Sequence, residues 1–133
     1  MVGDGFCYLD ASAVVKLIIA EPETIALRAF LAGHASPVSS RLTAVEVARA
    51  LARVGIEVGV TVEQILAGIH QVAITDAILT AAARANPTTL RTLDAIHLAT
   101  ALAAGPDLAV FVSYDRRLTE AAAAAGIPTA SPT

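Results

Sequence analysis

The chain has 133 residues, of which 56 % are hydrophobic and only 16 % charged, and its mean hydropathy is +0.67. That length suits one domain around one core and leaves no comfortable room for a second. No run of about eighteen apolar residues occurs, which excludes a spanning helix. Plentiful Leu, Ile, Val and Ala with a net charge of −3 exclude disorder.

Thirty alanines and five aromatic residues describe a core of small, closely packed helices. The basic residues are eight arginines and Lys16, set against twelve acids. An acidic balance argues against a general basic surface for nucleic acid. Sequestering four of the twelve acids in a metal pocket leaves nine basic against eight acidic residues, so net charge does not decide the matter. Met1 to Gly5 has neither a basic nor an apolar leader region, so no signal peptide is expected. Cys7 is the single cysteine and reads as a small buried hydrophobe. The expected compartment is the cytoplasm, with no membrane association.

Phe6 to Leu9 reads as a buried strand ending at Asp10, followed by a helix capped near Ser12. Glu21-Pro22 punctuates, and Pro22 suits the first turn of a helix reaching about Leu31. Pro37 to Ser40 is a short strand, and a helix from Leu42 to Val54 ends at Gly55. Thr61 opens a helix over Val62 to Ile69. Val72 to Thr75 fits either a strand or a helix-entry segment. Asp76 to Ala85 and Leu93 to Ala104 are helical, stopped by Asn86-Pro87 and Gly105-Pro106. Leu108 to Ser113 is β-branched and apolar, a strand; Asp115 caps a helix through Ala125 that Gly126 ends. Ile127 to Ala130 is a last short strand. Strands alternating with helices imply an α/β fold, a parallel sheet covered on both faces.

Such sheets bind ligands beyond the carboxyl ends of their strands, so acids there carry the functional signal. Asp10 ends the first strand, Asp115 follows the late one, Glu46 lies early in its helix, and Asp94 sits in an otherwise apolar first turn. Carboxylates crowded at one edge cannot all stay ionised without compensation. Oxygen ligands without His or Cys pairs point to Mg²⁺ or Mn²⁺, and the matching chemistry is metal-assisted phosphodiester hydrolysis. Each acid also has a plainer reading. Asp10 and Asp115 make good helix caps, and Glu46 can pair with Arg49 on a solvated face. Asp94 among Leu93, Ala95, Ile96 and Leu98 is the hardest to dismiss, because a buried unpartnered charge is costly.

Leu9-Asp10-Ala11-Ser12-Ala13-Val14-Val15-Lys16-Leu17 resembles the opening motif of PIN-domain proteins, specifically VapC-type toxins of toxin–antitoxin pairs. The segments Ser40 to Leu51, Leu93 to Ala101 and Val112 to Leu118 resemble the second, third and fourth motifs, and Gly126-Ile127-Pro128 the usual ending. The resemblance covers essentially the whole chain, as a single PIN domain over residues 1–133. It implies a PIN fold with a parallel sheet of four to five strands and helices on both faces. It also implies endoribonuclease activity at an acidic pocket holding Mg²⁺ or Mn²⁺, restraint by a VapB-type antitoxin, and a homodimer. By matching position, Asp10, Glu46, Asp94 and Asp115 are the acidic quartet and metal ligands. Ser113 stands where the family more often has Thr and keeps the hydroxyl.

Asp10 and Asp94 are expected to hold a metal that activates water; which of Glu46 and Asp115 holds a second ion or places the water stays open. Ser12 reads as a cap with a supporting role. Arg41, Arg49, Arg91, Arg116 and Arg117 flank the motifs and either contact RNA phosphates or solubilise their helices. His97, three residues after Asp94, either approaches the site or packs as a core histidine; the core reading is preferred, since the metal mechanism needs no imidazole. Two rivals use the same fold. A phosphoryl-acceptor domain would add a second early aspartate or a late-strand lysine, and neither is present. A non-catalytic interaction module fits the high apolar content, but such a descendant would be free to lose its acids, and all four are here.

Overall fold

The structure is a computed structural model and describes residues 5–34 and 36–133; Met1 to Asp4, most of the segment read above as lacking a leader, lie outside the described residues. Its sheet has five strands, all parallel, in the order β3-β2-β1-β4-β5. These are β1 (Phe6–Leu9), β2 (Pro37–Ser40), β3 (His70–Val72), β4 (Leu108–Val112) and β5 (Thr129–Ala130). Seven helices fill the connections: α1 (Ala11–Ile18), α2 (Thr24–Ala32), α3 (Leu42–Arg53), α4 (Val60–Ala67), α5 (Asp76–Ala83), α6 (Thr92–Ala103) and α7 (Arg116–Ala124). Among the described residues no helix is long and apolar enough to cross a membrane.

The two central strands are buried on both faces, and the pleat sends alternate side chains to different cores. Cys7, Leu9, Val110 and Val112 point to one side, where they pack with Ala13 and Val14 of α1, Leu27 of α2, Val47 and Leu51 of α3, and Val62 of α4. Tyr8 and Phe111 point to the other, with Leu98 and Ala101 of α6 and Leu118, Ala121 and Ala122 of α7. Small residues let α6 and α7 lie close to the sheet. Burial within the first core pushes the Cys7 thiol up to about 12, so it stays a protonated hydrophobe.

Glycine is required at two places. Gly5 enters β1 at a φ of +92°, and a Cβ there would lie 2.5 Å from the carbonyl of Asp107, in the 3₁₀ turn Gly105–Asp107. Gly126, at φ +87°, closes α7 with its N–H on Ala123, while Ile127 reaches back to the carbonyl of Ala122.

Several local expectations shift. Asp10, not Ser12, is the N-cap of α1, because its carboxylate accepts the Ala13 N–H at 3.0 Å. Pro22 lies in the turn before α2: the Thr24 hydroxyl accepts from the Glu21 N–H and donates to the Lys16 carbonyl, and this corner delays the helix to Thr24. Gly59 precedes α4, so Thr61 falls inside the helix it was expected to open. The ambiguous Val72 to Thr75 divides: Val72 ends β3, whereas Thr75 caps α5 through the Ile78 N–H. The last strand is confined to Thr129–Ala130.

Candidate functional site at the carboxyl edge of the sheet

The fold brings the four acids to one edge. Asp10 leaves the end of β1, Asp115 caps α7 just after β4, Glu46 lies in the second turn of α3 after β2, and Asp94 is in the first turn of α6. Among the described residues none of the four pairs with a lysine or arginine. Lys16 is turned to Glu21 and Glu23 instead, and Arg116 to Glu120. The expected Glu46–Arg49 pairing is not formed; Glu46 is bonded to His97.

Asp10 is the fixed point of the edge, only 4 % exposed. Its Oδ1 accepts from the Ser12 hydroxyl at 2.7 Å and from Ala13 N–H; its Oδ2 accepts from the Ser113 hydroxyl at 2.6 Å. Burial raises its carboxyl above the ordinary range, opposed by those three hydrogen bonds and by His97. Ser113 also accepts the Asp115 N–H at 3.0 Å, and Ser12 accepts the Tyr114 N–H at 2.9 Å. The two serines thus stitch the β1–α1 junction to the β4–α7 junction. The hydroxyl kept at position 113 is thus hydrogen-bonded to both Asp10 and the Asp115 N–H.

Asp94 is half-buried, and its carboxyl is raised by burial and then by the charges of Asp115, Asp10 and Glu46, with His97 opposing. Burial and like charge act in the same direction here, both disfavouring the ionised carboxylate. Asp115 makes both cap bonds, to Arg117 and Leu118 N–H, with Oδ1. The plain reading of Asp115 as a cap therefore holds alongside its place in the cluster.

The arginines divide between two sides. Arg91, Arg116 and Arg117 share a pocket of ≈ 230 Å³ with Asp94 and Asp115. Arg49 borders a groove of ≈ 600 Å³ with Glu46, Ser12 and Tyr114. Arg41 stands exposed at the start of α3, outside both. The largest groove, ≈ 1130 Å³ among α5, α6 and α7, contains none of the four acids. Chemistry rather than size locates the candidate site: that groove is lined by Arg84, Asn86, Arg117 and Glu120 among apolar residues, but it has no group of carboxylates to hold a cation.

His97 was underestimated by the sequence. It is 1 % exposed, as a core histidine should be, yet its Nε2 lies 2.5 Å from Glu46 Oε1 and its Nδ1 2.7 Å from the Tyr8 hydroxyl. The available signal was the spacing: position 97 lies one turn from Asp94 on the same helix.

Comparison with known proteins agrees with this geometry. The profile of the family described as PIN domain matches residues 7–124. Ribonuclease VapC46 of Mycobacterium tuberculosis is 42 % identical over 125 residues, covering 94 % of this chain and 96 % of its own. The crystal structure of M. tuberculosis VapC20, a Sarcin-Ricin loop cleaving toxin, superposes with a TM-score of 0.72 at 15 % identity, covering 95 % of this chain and 99 % of that one. A toxin–antitoxin complex from Klebsiella pneumoniae gives 0.71 at 21 % identity, covering 96 % and 98 %. With the strand order, the acidic edge and these likenesses in agreement, the chain belongs to the PIN-domain family and, within it, to the VapC toxins.

Proposed function

We propose that this protein is a cytoplasmic endoribonuclease toxin that hydrolyses RNA phosphodiester bonds with Mg²⁺ or Mn²⁺ and is held in check by a VapB-type antitoxin. The observation that carries the proposal is the convergence of four carboxylates from four separate segments, none countered by a lysine or arginine among the described residues. Relatives named ribonuclease support the reaction, and the toxin–antitoxin complex among its structural neighbours supports the partner. We expect a homodimer as the active unit.

The donor set fits a hard divalent cation. Among the described residues no three His, Cys, Asp or Glu side chains stand close enough to enclose one ion. Mg²⁺ does not require that, since it binds through one or two carboxylates and completes its shell with waters and substrate phosphate. Asp10 and Asp94 are the residues that would hold it. Bound there, the ion would offset the carboxylate charge and lower the pKa of a coordinated water.

The chain's own groups do the rest. Ser12, Ser113 and Ala13 hold Asp10 in one orientation before substrate arrives, so no reorganisation is needed at that ligand. Glu46 and Asp115 face the same edge and place the attacking water or a second ion. Arg91, Arg116 and Arg117 on one side, and Arg41 and Arg49 on the other, receive the RNA backbone and set its direction across the acids.

The test is cleavage of total cellular RNA by purified, antitoxin-free protein with Mg²⁺, Mn²⁺ or EDTA, beside Asp94→Asn. Discrete fragments that need metal and vanish in the variant are expected. Folded protein that leaves all RNA intact, tRNA and ribosomes included, would replace this reading with the binding module.

A further inference from the structure

We propose that Tyr8 and His97 form a buried relay that holds Glu46 in position at the acidic edge, making His97 a positioning residue rather than core filling. This rests on the reading that the acids bind divalent cations, and takes Glu46 as one of the ligands rather than as the group that places the water. Glu46 is the one member of the quartet on a long side chain, and its side chain is 21 % exposed. Asp10 is fixed by backbone and serines, and Asp115 by its cap. Among the described residues no cation or backbone N–H plays that part for Glu46; its bond is to His97.

The anchor is itself immobilised. Tyr8 lies in central strand β1, 1 % exposed, with its ring stacked on Phe111 at 5.1 Å between centroids and the His97 ring set edge-on to it, centroids 5.9 Å apart. The Tyr8 hydroxyl meets Nδ1, so the imidazole cannot flip without losing a buried hydrogen bond. A carboxylate can only accept, so Nε2–H donates to Glu46 Oε1, and in the neutral ring the phenol then donates to Nδ1. One tautomer satisfies the whole chain of bonds. Oε1 is thereby engaged, and Oε2 is the oxygen that remains for a cation or a water.

The relay also ties the two sides of the site together. Asp94 and His97 stand three residues apart on α6, and Glu46 is on α3, across the sheet edge. One helix therefore contributes an acid directly and fixes another indirectly. This second-layer hydrogen bonding resembles in kind what orients ligands at metal sites generally, where removing the partner costs roughly 10- to 100-fold in metal affinity.

The experiment measures Mn²⁺ affinity of the antitoxin-free protein by the EPR signal of free Mn²⁺, with folding checked by circular dichroism. His97→Leu is expected to weaken binding about 10- to 100-fold. His97→Gln, whose side-chain amide can donate toward Glu46, is expected to recover most of that loss. In a Glu46→Gln background, His97→Leu should add no further loss. Tyr8→Phe, which keeps the ring and its stacking, should weaken binding by itself. Unchanged affinity in folded His97→Leu overturns the proposal, as does an equal loss with and without Glu46. If His97→Leu does not fold, unchanged affinity in Tyr8→Phe overturns it instead. A wild type that binds no Mn²⁺ overturns the metal reading beneath it, whereas a binding wild type with indifferent variants overturns the relay alone.

Discussion

Replacing Asp94 by asparagine should make the metal-free protein more stable while removing its activity. The side chain sits in the first turn of α6, where the helix dipole favours an acid by about 0.3–1 kcal/mol. Its carboxyl is nevertheless raised, so burial and the charges of Asp115, Asp10 and Glu46 outweigh the dipole and His97. The site is half-open to water, and screening keeps the net gain from neutralisation modest, on the order of 0.5–1 kcal/mol. For a chain of this length that is roughly 2–4 °C in Tm. The pH dependence fixes the sign. A raised carboxyl contributes stability that is present below its ordinary value of 3.8 and lost as pH rises through the higher folded value. The advantage of Asn over Asp should therefore appear at neutral pH and shrink toward pH 4. Saturating Mn²⁺, at about 100 times its Kd, should stabilise wild type by roughly 2.7 kcal/mol and the variant by much less. Differential scanning calorimetry at the two pH values, with EDTA and with Mn²⁺, measures all three. An Asn variant less stable than wild type at neutral pH without metal would refute the account of a repulsive acidic edge.

Ser113→Ala removes the donor to Asp10 and leaves the Asp115 N–H without its acceptor, so urea unfolding should show a loss of about 1–3 kcal/mol. Ser113→Thr should restore most of that stability. Leu51→Ala opens a cavity in the fully buried core under α1 and α3 and should cost roughly 2–5 kcal/mol by the same measurement, with metal affinity retained. Arg116→Ala/Arg117→Ala should weaken binding of a non-cleavable RNA and reduce the slope of log affinity against log salt by about 0.7 per lost phosphate contact. Because the Arg116–Glu120 pair is exposed, that double variant should be nearly as stable as wild type.

Strand–helix alternation was legible because β1 and β4 are buried on both faces and so read as apolar runs, and because Gly126 and Asp115 punctuate α7 unambiguously. The acids were legible because strand ends and first helical turns are where such sheets gather ligands, and Asp94 is conspicuous in an apolar segment. What failed depended on contacts between elements. The Thr24 corner that postpones α2 involves the carbonyl of Lys16, eight residues back, and no propensity for Pro22 reports it. Ser12 looked like a local cap, yet it also accepts from Tyr114 N–H, and Ser113 donates to Asp10, each bond spanning about a hundred residues. His97 sits on an apolar helix, and its sequence neighbours do not reveal that its two ring nitrogens meet Tyr8 from β1 and Glu46 from α3.

The hydrogen bond from Ser113 to Asp10 joins residues 103 positions apart, and β4 is one of the two strands that flank β1. A growing chain therefore carries Asp10 through most of translation with only its local partners, Ser12 and Ala13, before Ser113 is made. At about 5–20 residues per second the wait between Asp10 and Ser113 is on the order of 5–20 s. A nascent or prematurely terminated chain consequently holds Asp10 by its local partners alone. The Asp10 network closes across the sheet only late in synthesis, once β4 and Ser113 have been made.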